Sequence, residues 1–168
     1  MHIAGIDPGR QGYITVLDTK SCRGWTVKLR YCDNKLLDLN ILDRVPRIDI
    51  CYLESLRGRG GWGATVNFGL GSYFGQIAFW LKQKDIDVKP VLPHIWINYF
   101  DKRTNIKTKD RTLEAYKRLF KHLPIEPRIV KGQEAYNDNL IDSLMIAVYG
   151  YNNETSQRLK KWTFETVK

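Results

Sequence analysis

Apolar residues recur along this chain in two different periods, and the switches between them mark its elements. A near-continuous apolar run at 2–7 (HIAGID) predicts a buried strand that stops at Pro8-Gly9. Alternation over 12–18 predicts a second strand, joined to the first by a tight connection in which Gly9 and Gly12 suit positive φ. Residues 24–30 predict a third strand. Leu36, Leu37, Leu39, Ile41, Leu42 and Val45 fall at helical spacing, so 33–45 predicts a helix with Asp33 as its N-cap and Pro46 as its stop. The run 48–54 reads as a central buried strand.

A Gly- and Arg-rich loop at 57–63 then leads into a long helix expected over 64–84. Gly69, Gly71 and Gly75 each cost that helix about 1 kcal/mol relative to Ala, and close packing against another backbone would explain them. A short strand at 87–92 and a short helix at 93–100, opened by Pro93, come next. A basic polar loop at 101–109 precedes an amphipathic helix at 111–123, which Pro124 and Pro127 end. Asn137 or Asp138 opens a last helix that runs to about 150. This order predicts an α/β domain: a five-stranded mixed sheet with helices on both faces. It spans 1–151, followed by a polar, basic C-terminal tail at 152–168 in which Trp162 and Phe164 are the ordering residues.

Length adds that 168 residues make one domain with room for a core. Charge adds more. Lys and Arg number 27 against 18 acids, a net +9, which favours a polyanionic partner, nucleic acid first. Cys22, Cys32 and Cys51 lack metal-ligand spacing and read as reduced thiols. Asp7 interrupts the first apolar run, and no apolar stretch approaches a membrane span, so a cytoplasmic protein with no membrane partner is expected. His2, His94 and His122 are scattered and read as structural or exposed.

The candidate chemistry lies in acids at element ends: Asp7 after the first strand, Glu54 after the fourth, and Asp142 on the last helix with Asp138 one turn earlier. If the first and fourth strands are neighbours, Asp7 and Glu54 open on one sheet edge, and a helix across that edge brings Asp142. Crowded carboxylates are costly unless cations hold them. Phosphodiester hydrolysis uses such a set: two Mg²⁺ ions about 3.5–4 Å apart, on hard oxygen ligands, ease both attack and departure. Each acid has a plainer alternative. Asp7 suits a turn in an Asp-Pro-Gly bend, Glu54 a strand-end surface acid, Asp142 a structural helix acid, and Asp138 an N-cap.

Three motifs taken together, GIDPGRQGYI, YLES and IDSLMIA, resemble the RuvC family of Holliday-junction resolvases. The likeness extends through GLGSYFGQIAFWL, VKPVLPHIW and the KDRT segment, so it covers most of 1–150. It implies the RNase H-like fold, a homodimer and Mg²⁺, for which Mn²⁺ would substitute. It also implies a crossover junction endonuclease that makes paired nicks in branched DNA with two ions per site. Asp7, Glu54 and Asp142 match the family's acids. The usual fourth acid, three residues before the last, is Asn139 here, with Asp138 beside it; Asp138 is the expected ligand and Asn139 its rival. That departure and the basic tail look phage-type, which would place the protein in a bacterial host's cytoplasm. Arg57, Arg59 and Trp62 fall where the family's loop enters the junction. Lys107, Lys109 and Arg111 resemble its basic segment near the scissile strand, with Lys109 suited to neutralise transition-state charge. Two other readings are an RNA/DNA-hybrid nuclease on the same fold and a nucleotide-binding protein of the actin and sugar-kinase type, whose Asp-x-Gly-x-x-Gly loop Asp7, Gly9 and Gly12 also fit. A further one is a binding-only relative without activity.

Overall fold

A computed structural model describes residues 1–32, 36–55, 63–120, 128–130, 133–155 and 163–166. Strands β1 (His2–Asp7), β2 (Tyr13–Asp18) and β3 (Arg23–Lys28) form the expected antiparallel meander. Strands β4 (Ile50–Glu54) and β5 (Asp87–Val91) add in parallel on the other side of β1. The five strands read from the hydrophobic pattern are therefore present in a mixed sheet. A sixth, β8 (Thr163–Thr166), pairs parallel with β3, giving the order β5-β4-β1-β2-β3-β8.

Helices cover both faces because strand side chains alternate. Ala4, Ile6, Cys51 and Leu53 face one core with Ile77, Trp80 and Leu81 of α2 (Ala64–Gln83) and with Ile41 and Leu42 of α1 (Leu39–Leu42). Ile3 and Tyr52 face the other core, with Trp96 of α3 (Pro93–Phe100), Tyr116 of α4 (Thr108–Leu119) and Leu144 to Val148 of α5 (Asp138–Thr155). A small hairpin, β6 (Arg128–Val130) and β7 (Gln133–Ala135), precedes α5.

Several expectations are corrected. Among the described residues of the helix expected at 33–45, only Leu39–Leu42 are helical, and Leu37 instead forms a β-bridge with Tyr31; residues 33–35, with Asp33, lie outside the described residues. Helix α4 begins three residues earlier than expected, at Thr108. Residues 121–127, including Pro124 and Pro127, lie outside the described set. Gly9 and Gly12 do not adopt positive φ. Gly12 is required by space instead: its N–H bonds the Gly9 carbonyl at 2.7 Å, and an added Cβ would strike the Asp7 carbonyl. Among the described residues, Gly69, Gly71 and Gly75 do not pack against a backbone, since an added Cβ at each meets nothing within 4 Å. The last helix runs past its expected end near 150, while Phe164 was expected to help order the stretch that follows. Helix α5 continues to Thr155, and Phe164 of β8 lies over Gly24 and packs edge-on against Phe120.

Candidate active site

The register of the central strands assembles the site's base. Ile6 pairs with Leu53 across the parallel β1–β4 ladder, so Asp7 and Glu54 are the next residues on neighbouring strands. Counting by two from Ile3 and from Tyr52, both acids face α5. Each is 8% exposed.

Helix α5 comes close because β1 lets it. An added Cβ at Gly5 would collide with the Ala147 nitrogen and the Ser143 carbonyl, so helix and strand meet backbone to backbone. Thr15 and Ser143 share a buried hydroxyl hydrogen bond of 2.8 Å. The helix N-terminus is tied to the β1–β2 connection: Asn137 Nδ2 donates to the Tyr13 hydroxyl at 2.9 Å, and Asn139 Nδ2 to the Gln11 carbonyl at 3.2 Å. Asn137, not Asp138, caps the helix, its Oδ1 accepting from the Leu140 N–H. Asp138 is thereby released from capping. It and Asp142 are four apart and share one helix face.

Burial and neighbouring charge both act on the acids. Burial raises the Asp7 carboxyl to about 6, partly offset by the Gly9 N–H on Oδ1. Asp142 is pushed well above the usual carboxylate range, first by burial and then by Glu54, Asp7 and Asp138. Lys109 acts in the opposite sense. It comes from α4, where Lys109 Nζ donates to Asp138 Oδ2 at 2.6 Å, and that bond raises the lysine. Among the described residues no three His, Cys, Asp or Glu side chains already stand as a metal-ligating group. The carboxylates meet through their fields rather than in a closed cage. The donor set nonetheless fits a hard divalent cation, being all carboxylate oxygen at a spot where added positive charge relieves mutual repulsion.

The other candidates divide. Lys107 is exposed at the N-cap position of α4. Arg111 is a correction to its expected DNA contact: it is 7% exposed, donating to Asn98 Oδ1 at 2.7 Å and to the Asp101 carbonyl. The backbone of α3's C-terminus thus holds it inside the protein. Arg57, Arg59 and Trp62 lie outside the described residues. Two residues near the acids were given no role from the sequence, although Trp96 ends the VKPVLPHIW segment of the resemblance. Trp96 Nε1 donates to Glu54 Oε1 at 2.9 Å. The Tyr31 hydroxyl, buried and without a partner among the described residues, is raised by burial and by Tyr73 and Asp7. Pro93, which opens α3, was legible; the ring four positions into a short helix gives no hint of a strand-end acid beside it.

No protein-family model matches the chain, and no curated protein matches it. Solved structures do. The chain is similar to T. thermophilus RuvC in complex with Holliday junction substrate, with TM-score 0.59 and 14% identity over 92% of this chain and 96% of that one. It is also similar to another Thermus thermophilus RuvC structure, with TM-score 0.53 and 13% identity over 93% and 97%. At such identity the likeness establishes the fold, which is RNase H-like.

Proposed function

We propose that this chain is a Mg²⁺-dependent endonuclease that cuts branched DNA, four-way junctions first, by paired nicks as a homodimer. The reading is supported by Asp7 and Glu54 ending neighbouring strands of an RNase H-like sheet, with the charges of both acting on Asp142 of α5. The residues that would hold Mg²⁺ or Mn²⁺ are Asp7, Glu54, Asp142 and Asp138. Two such ions, when bound, supply an activated water and stabilise the leaving oxygen. The chain's own residues do the rest. Asp7 and Glu54 present fixed, buried oxygens. Lys109 holds Asp138 and carries a positive charge beside the phosphate path. Asn139 bonds Gln11, which favours Asp138 as the fourth ligand.

The +9 charge supports a phosphate partner. Arg57, Arg59 and Trp62 are assigned to the junction by their place after Glu54, with Arg for phosphates and Trp for stacking. A dimer is supported by α2, where Phe68, Gly71, Gly75 and Phe79 recur at three- and four-residue spacing. Phe68 is 80% and Phe79 65% exposed, and the glycines leave room for a second helix. The phage-type assignment rests on the displaced fourth acid and the basic C-terminal stretch.

Cleavage of synthetic junctions, forks, RNA/DNA hybrid and linear duplex, side by side with Mg²⁺, tests the reading. Junctions should be cut fastest, with two symmetric nicks. Asp7→Asn or Glu54→Gln should abolish cutting and leave junction binding largely intact. Near-normal cutting by either variant would sink the site.

A further inference from the structure

We infer that Trp96 is a positioning residue for Glu54, setting the orientation of its carboxylate for the metal, an inference that rests on the proposed function above. Pro93 starts α3 directly after β5, and the first turn brings Trp96 under the end of neighbouring β4. Trp96 is 1% exposed and packed within the α5-side core. An indole N–H is donor only, so the Glu54 oxygen must accept. The bond of 2.9 Å is buried and made to a carboxylate, which makes it stronger than a neutral one.

The consequence is orientation. A bicyclic ring in a close-packed core has no other rotamer to visit without opening a cavity. With Oε1 engaged by that ring, the torsion that would spin the carboxylate is held, and its orientation is set before any ion arrives. Asp138 is held differently, because its partner Lys109 is exposed and can swing aside. Glu54 is therefore the preorganised ligand and Asp138 the adjustable one. Outer partners that orient a ligand in this way typically support 10–100-fold in metal affinity.

The test replaces Trp96 with benzothienylalanine, which keeps the bicyclic shape and substitutes sulfur for the N–H. Trp96→Phe is a second variant, with a thermal melt to check folding. Mn²⁺ uptake is read by electron paramagnetic resonance on the full chain without DNA. The benzothienyl variant should bind Mn²⁺ about tenfold more weakly. Its junction cleavage should need correspondingly more Mg²⁺ and recover at saturating Mg²⁺, and metal-free junction binding should be unchanged. Mn²⁺ affinity equal to wild type in that variant overturns the role of Trp96 while leaving the nuclease reading intact. A wild-type protein that takes up no Mn²⁺, or a Glu54→Gln variant that binds it as well as wild type, overturns both.

Discussion

At the scale of single residues, burying a carboxylate at the end of β1 costs stability. Asp7 has a folded pKa of about 6 against an ordinary 3.8. A raised carboxyl contributes its stability below pH ~3.8 and loses it as pH climbs through ~6, where ionisation is opposed by burial. The loss from this group is on the order of 3 kcal/mol. In EDTA, Asp7→Asn should therefore be more stable than wild type at pH 7.5, with the gap closing toward pH 4. Urea denaturation across that range checks it, and a gap independent of pH would contradict the assignment. Mg²⁺ should narrow the gap at pH 7.5 by binding the wild type alone. The places of Asp7, Glu54 and Asp142 on their elements were legible because those elements have a clear period. The hydrogen bond between Glu54 and Trp96 was not, because it joins residues 42 apart through tertiary packing.

Among the elements, backbone approach and buried polar struts decide geometry. Gly5→Ala should cost about 2 kcal/mol or more, since neither β1 nor α5 has a flexible side chain to yield there; urea unfolding measures it. Helix α4 is held on α3 by Arg111, and this separates two roles of the basic segment. Arg111→Met should destabilise by about 2 kcal/mol and leave the salt slope of junction binding alone. Lys107→Ala should do the reverse, with stability within about 0.5 kcal/mol and a salt slope lower by about one. Long strands and helices were read within a few residues because their periods persist. The misses share a cause. Strands β6, β7 and β8 are three or four residues long, too short for a period to show, and β8 forms only because β3 offers an open edge. Helix α1 shrank where a β-bridge outcompeted local propensity.

For the whole molecule, the proposed homodimer is tested at the exposed α2 stripe. Phe79→Glu should yield a folded monomer by sedimentation velocity, with junctions nicked on one strand or not at all. A dimer that persists would move the interface elsewhere. No helix among the described residues is long and apolar enough to cross a membrane.

The close seat of α5 on Gly5 also bears on how the molecule comes into being. As the polypeptide leaves the ribosome, Asp7 and Glu54 emerge well before α5 exists. Their strands can pair, yet Asp142 joins them only when the helix docks backbone to backbone on Gly5. On the nuclease reading, a product arrested before residue 138 is inert, and competence to cut arrives only at the close of folding. On that same reading, a cell making this protein would be spared a partly built nuclease acting on its chromosome.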